Sequence, residues 1–75
     1  MSAVWLLILE LAEFERLSHA VTGSEESLCA GLGKAFECYV AIHSDQIIGY
    51  MICFTTYSTF RTATGTWLED IYVSP

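Results

Sequence analysis

The sequence predicts an α+β fold, with two N-terminal helices followed by a three-stranded antiparallel meander. Apolar residues recur at helical spacing through the first 21 positions. From residue 35 onward, β-branched and aromatic residues dominate and alternate with other residues, as in strands. Polar segments at 22–24, 44–46 and 58–65 separate these blocks. A chain of 75 residues makes one small domain.

The first helix is predicted over residues 4–21, with Ser2 available as its N-cap. Its core stripe is expected at Leu7, Leu11, Phe14, and Leu17 or Val21. The first half is apolar on every side, and a helix of that kind is normally buried on every side. This pattern indicates a partner subunit.

A second, short helix is predicted over residues 25–32, capped by Ser24. Strands are predicted at 35–43, 46–57 and 66–73. The middle strand is apolar on both faces, so we expect it to be central and covered on both sides. Gly49 within it indicates a bulge or a close backbone approach.

The third strand has two acids in the middle of an apolar run. Strict alternation would place Glu69 on the face of Trp67, Ile71 and Val73, and Asp70 on the other face with Leu68 and Tyr72. A buried charge is costly unless it is paired or used. Glu69 is therefore either a functional residue or a structural one that pairs with Arg61 or Lys34 or faces solvent.

Composition narrows the classes of function. The net charge is −6, from nine acids against three Lys and Arg, which argues against nucleic-acid binding. An acidic surface fits a small cationic amine, and it fits ordinary solubility equally well. The apolar run at 3–9 is too short to cross a membrane. Because 53% of the residues are hydrophobic, more than so small a domain hides easily, we expect self-association.

Three cysteines at wide spacings indicate neither a disulfide framework nor a metal site. We expect them to be reduced and buried, in a cytoplasmic protein.

Five segments occur in an order and spacing that resemble the N-terminal half of a GNAT-family N-acetyltransferase, most nearly the diamine (spermidine/spermine-type) branch. They are Leu-Ala-Glu-Phe-Glu (11–15), Val-Thr-Gly-Ser-Glu-Glu-Ser-Leu (21–28), Ile-Ile-Gly-Tyr (47–50), Tyr-Ser-Thr-Phe (57–60) and Trp-Leu-Glu-Asp-Ile-Tyr-Val (67–73). The last motif is the most specific. The resemblance covers almost the whole chain.

The resemblance implies roles for individual residues. Phe14, Glu15, Glu69 and Asp70 would contact the substrate amine, and Glu69 would receive or relay its proton. The backbone of Ile71, Tyr72 and Val73 would pair with the pantetheine arm of acetyl-CoA. No metal is implied.

In the family, a strand precedes the first helix, and a glycine-rich loop that binds the pyrophosphate follows the third strand. Residues 1–75 are thus expected to be a partial GNAT domain that lacks its first strand and C-terminal half. We expect residues 1–75 alone to bind acetyl-CoA poorly and to be inactive as a lone chain. We also expect a homodimer or higher oligomer formed through free strand edges or the exposed sheet face. Two alternatives stay open. A separate chain could complete an active enzyme in trans, or the chain could be a non-catalytic module that binds a cationic ligand or a protein.

Overall fold

A computed structural model describes residues 1–75. Its elements, in chain order, are helix α1 (Ser2–Phe14), a 3-10 turn (Ser18–Ala20), helix α2 (Glu25–Gly31), and strands β1 (Glu37–His43), β2 (Gln46–Ser58) and β3 (Ala63–Val73). The strands form one antiparallel sheet in the order β1-β2-β3. The predicted fold class is confirmed, with β2 in the centre of the sheet. Strand β3 starts three residues earlier than predicted, so the β2–β3 loop is shorter.

Helix α1 ends at Phe14, well before the predicted end at residue 21. The reason is Arg16, whose φ of 59° lies in the left-handed region. The Leu17 N–H reaches back to the Ala12 carbonyl oxygen at 2.7 Å, which completes a Schellman-type helix end. Glycine usually occupies the left-handed position. Because arginine stands there instead, no residue marks the end of the helix in the sequence. The chain then folds back toward the helix.

The two helices are joined by a side-chain hydrogen bond. Ser2, the predicted N-cap, lies inside α1, and its hydroxyl donates to Glu25 Oε2 at 3.1 Å. The predicted cap of α2 is confirmed, since Ser24 Oγ accepts from the Ser27 N–H at 3.1 Å. The N-terminus of α2 is therefore fixed against α1.

The core lies between α1 and one face of the sheet. Val4 and Leu7 from the helix pack against Tyr50 and Ile52 of β2. Only 6 of the 75 residues are buried, so much of the apolar surface stays exposed, as the composition predicted. The radius of gyration, 13.9 Å, exceeds the roughly 11 Å of a compact chain of this length.

Two expectations about α1 are wrong for the single chain. Phe14, predicted in the core stripe, is 76% exposed. Leu6 is 65% exposed, so the apolar first half is buried on one side only. The helix contacts the sheet through Val4 and Leu7, and its outer side faces solvent.

The β1–β2 hairpin contains two backbone irregularities. Ser44 and Asp45, both at positive φ, form its two-residue turn. The register shifts after Ala41, and Ile47 lines an apolar cavity of about 240 Å³ beside Val4. A Cβ at Gly49 would lie 2.8 Å from the Tyr72 carbonyl oxygen. The predicted bulge and close approach are both present.

Only one face of the sheet is covered, which corrects the prediction that β2 is covered on both. The uncovered face, here called the bare face, has no helix packed on it. It carries cross-strand rows of apolar side chains, formed by Tyr39, Ala41, Met51, Leu68, Ile71 and Val73.

None of the helices has the length and apolar character required to cross a bilayer. The three cysteines are unpaired. Cys53 is buried as predicted, whereas Cys29 is exposed.

Candidate functional site

Strand β3 contains a β-bulge at the two acids. Ile52 of β2 pairs with Asp70 and the next residue, Cys53, pairs with Leu68, so Glu69 has no partner across the strand. An extra residue of this kind interrupts the alternation of side chains. Glu69 and Asp70 therefore both lie on the helix-covered face. The prediction that Glu69 shares a face with Ile71 is wrong.

The two acids line a cleft of about 370 Å³ between the C-terminal end of α1, the segment around the 3-10 turn, and the bulge of β3. We call it the acidic cleft. Its wall combines six apolar residues with three carboxylates: Ile8, Leu11, Ala12, Glu15, Leu17, Ala20, Val21, Glu69 and Asp70.

Backbone geometry brings these residues together from distant parts of the sequence. Glu15 caps the C-terminus of α1, and the left-handed turn at Arg16 directs the following segment along the cleft. The structure thus unites Glu15, Glu69 and Asp70. Phe14, predicted to contact the substrate, is exposed and lies outside the cleft.

Asp70 is held by a residue that the sequence did not indicate. The buried Tyr50 hydroxyl donates to Asp70 Oδ2 at 3.2 Å. Burial raises the pKa of Tyr50 well above its usual value, and the neighbouring Asp70 carboxylate raises it further through its charge and the hydrogen bond. The tyrosine is therefore a stable hydrogen-bond donor at neutral pH. Recognising this pair from the sequence would have required knowing the register of β2 against β3, which sets Tyr50 opposite Tyr72 and diagonal to Asp70.

Glu69 is exposed and, unlike Asp70, accepts no hydrogen bond from a buried tyrosine. The structural alternative was that Glu69 pairs with Arg61 or Lys34 or faces solvent, and its exposure agrees with the last of these. In the structure, the Arg61 guanidinium instead reaches toward the Thr64 carbonyl oxygen at 3.5 Å. Neither basic residue lines the acidic cleft. Glu69 thus keeps both carboxylate oxygens available to a ligand.

The residues predicted to pair with the cofactor lie at the outer edge of β3. The Ser74 N–H donates to the Ile48 carbonyl oxygen at 2.7 Å, so this residue faces β2. Because backbone polar groups alternate along a strand, those of Ile71 and Val73 point to the free edge, and those of Tyr72 point to β2. The Tyr72 side chain lies on the helix-covered face, where desolvation raises its pKa first and Glu10 raises it further.

Known proteins resemble this chain over nearly its whole length. Thialysine N-epsilon-acetyltransferase of Mus musculus is 44% identical over 80 aligned residues, covering 92% of this chain and 46% of that protein. The proteins of the same name from Sus scrofa and Bos taurus are 41% and 40% identical over the same shares.

The chain is homologous to part of an N-acetyltransferase.

The resemblance to a segment of a GNAT-family N-acetyltransferase, expected from the five motifs, is confirmed. No family model matches the chain. The chain spans slightly under half the length of each of these relatives. The roles expected for Phe14, Glu15, Glu69, Asp70 and the end of β3 stay predictions.

Proposed function

We propose that this chain forms the amine-binding part of an acetyl-CoA-dependent N-acetyltransferase that acts on small amines. The observation that carries the proposal is the convergence of Glu15, Glu69 and Asp70 in one cleft. The similarity to proteins named for acetylating thialysine supports it.

The cleft fits a short, positively charged amine in size and in charge. Its volume of about 370 Å³ lies in the range typical of small-molecule sites. Three carboxylates attract an ammonium group, and the interaction is strengthened where water is partly excluded. The six apolar residues of the wall suit the methylene chain of an amine such as thialysine.

The carboxylates would divide the work of amine acetylation. An ammonium group must lose a proton before its nitrogen can attack a thioester, and Glu69 would accept that proton directly or through a water. Asp70 and Glu15 would hold the charged amine in place. Acetyl-CoA, when bound, supplies the acetyl group.

The free edge of β3 fits one part of the cofactor. The outward N–H and C=O groups of Ile71 and Val73 could pair with the amides of the pantetheine arm, whereas Tyr72, whose polar groups face β2, fits this role less well. Residues 1–75 contain no glycine-rich phosphate loop of the kind that the resemblance implies. We therefore propose that these 75 residues bind acetyl-CoA weakly and do not catalyse acetyl transfer on their own.

We also propose that copies of the chain associate through the bare face. The face is apolar, and Ile71 and Val73 on it are 63% and 58% exposed. Contiguous exposed apolar patches are typical of protein interfaces. A cytoplasmic location is proposed as well, supported by three unpaired cysteines.

The test of the amine site is calorimetric titration of thialysine into the chain. S-ethylcysteine, which lacks the side-chain amine, serves as the matched ligand. We expect thialysine to bind and S-ethylcysteine not to bind. Glu69→Gln and Asp70→Asn should each weaken binding about tenfold, equivalent to about 1.4 kcal/mol.

Glu26→Gln is the control variant, because it removes the same charge from α2 outside the cleft. Equal losses of thialysine affinity in all three variants would mean that binding depends only on the overall charge, and would contradict an amine site in the cleft. Acetyl transfer to thialysine by the chain alone would overturn the proposed inactivity. Transfer that requires a second polypeptide would favour completion in trans, and binding without transfer under any condition would favour a non-catalytic module.

A further inference from the structure

The ring of Tyr50 packs in the apolar core, whereas its hydroxyl reaches the acidic cleft. The residue is 3% exposed, and its side chain belongs to the core with Val4, Leu7 and Ile52. The hydroxyl leaves this apolar cluster and donates to Asp70 Oδ2 at 3.2 Å. A buried hydroxyl needs such a partner, and Asp70 is the partner that the structure provides.

The register of β2 against β3 makes this contact possible. Tyr50 pairs directly with Tyr72, and Asp70 pairs with Ile52. Tyr50 and Asp70 are thus diagonal neighbours on one face, a separation that a long side chain can span. The bulge adds Glu69 to this same face, so that the second acid of β3 lies beside the Asp70 carboxylate that Tyr50 holds.

The acids of the cleft consequently differ in freedom. One oxygen of Asp70 is fixed by a donor embedded in the core, which leaves its other oxygen for a ligand. Glu69 makes no side-chain hydrogen bond and is exposed. A charge held in place before binding costs less ordering when the ligand arrives.

We propose that Tyr50 is a positioning residue of the acidic cleft, whose buried hydroxyl presets the Asp70 carboxylate for a bound ammonium group. This inference rests on the proposed amine-binding function. In this arrangement Asp70 is a fixed counter-charge and Glu69 is the mobile acid that handles the proton. Tyr50 touches neither amine nor cofactor and acts only through Asp70.

A double-mutant cycle tests the proposal by thialysine titration of four chains: wild type, Tyr50→Phe, Asp70→Ala, and the double variant. Tyr50→Phe keeps the ring in the core and removes only the donor. We expect it to weaken thialysine binding about 3- to 10-fold, the size of one hydrogen bond. In the Asp70→Ala background the same change should have no further effect on affinity, because the group through which Tyr50 acts is gone.

Ile52→Val is the matched control, since it loosens the same face of β2 and leaves every polar group of the cleft intact. It should lower stability and leave thialysine affinity unchanged. A Tyr50→Phe loss that persists in the Asp70→Ala background, or that Ile52→Val reproduces, would mean that Tyr50 is merely structural. Unchanged affinity in Tyr50→Phe, with wild type binding normally, would overturn the positioning role and leave the proposed function standing. A wild-type chain that fails to bind thialysine would overturn both.

Discussion

The two faces of the sheet have similar apolar content and opposite environments. On one face, α1 buries Tyr50 and Ile52, and its end meets the bulge of β3 to form the acidic cleft. The bare face carries Tyr39, Ile71 and Val73, all more than half exposed. The hydrophobic pattern of the strands is therefore not what distinguishes the faces. The helix and the bulge together place the core and the carboxylates on the same side.

The largest expected difference between the faces is in stability. Leu7→Ala removes a core side chain that is 6% exposed, and a cost of about 2–5 kcal/mol is typical of such a cavity. Ile71→Ala on the bare face should cost less than about 1 kcal/mol, because its side chain is already largely hydrated. Urea unfolding followed by circular dichroism, at a concentration where the chain is monomeric, measures both. Equal losses would mean that the two faces are equally packed.

Self-association should depend on the bare face. Ile71→Lys places a charge in the middle of it and should weaken association at least about tenfold, since an unpaired buried charge is costly. Leu6→Lys is the matched control, because Leu6 is 65% exposed on the outside of α1 and Ile71 is 63% exposed. Sedimentation equilibrium distinguishes the two surfaces. If Leu6→Lys weakens self-association more than Ile71→Lys does, the interface lies on α1 instead. A wild-type chain that stays monomeric would contradict the proposed self-association.

The loss of stability at alkaline pH should be larger for the tyrosine on the helix-covered face, Tyr50, than for Tyr39 on the bare face. Burial and Asp70 raise the pKa of Tyr50 in the folded chain, whereas the value in the unfolded chain is about 10. The folded state therefore holds its proton more tightly, and this stabilisation is complete below about pH 10 and is lost as the pH rises above that value. The slope cannot exceed about 1.4 kcal/mol per pH unit for one group.

Tyr50→Phe should flatten that alkaline loss. Tyr39→Phe on the bare face is the comparison, since the pKa of Tyr39 is also raised, chiefly by its hydrogen bond to Glu37, but its hydroxyl is open to solvent. Urea unfolding at pH 8 and pH 11 measures the difference. A steeper change from Tyr39→Phe than from Tyr50→Phe would contradict the environment assigned to Tyr50.

The smallest expected effect concerns the turn that returns the chain to the acidic cleft. Arg16 has a φ of 59°, a conformation that costs a non-glycine residue about 1 kcal/mol or more. Arg16→Gly should raise the free energy of unfolding by about 0.5–1 kcal/mol, after the greater freedom of glycine in the unfolded chain is subtracted. Glu15→Gly, at a φ of −85°, should destabilise the chain. Thermal unfolding of both variants measures the difference. Lower stability of the Arg16→Gly variant would contradict the claim that Arg16 is strained.

The sequence predicted the order of elements and the cap of α2, because helical spacing, alternation and Ser24 are local signals. Through the family resemblance, it also implied that Glu15, Glu69 and Asp70 contact one substrate amine. It placed Glu69 on the wrong face, because strict alternation assumes that every residue of β3 pairs with one residue of β2, and Glu69 is an extra, unpaired residue. It extended α1 too far because Arg16 occupies a position where glycine would have signalled the end. Tyr50 was missed because its contact with Asp70 depends on the pairing register of β2 and β3, which no local signal in the sequence sets.

The most direct test of the acidic cleft is a thialysine titration followed by the backbone amide resonances of the isotope-labelled chain. The shifts should concentrate at residues 15–21 and at Glu69 and Asp70, with little change at Tyr39 or Met51 on the bare face. S-ethylcysteine should leave the spectrum almost unchanged. Shifts centred on the bare face, or equal shifts with both ligands, would contradict the claim that the helix end and the bulge of β3 build an amine site.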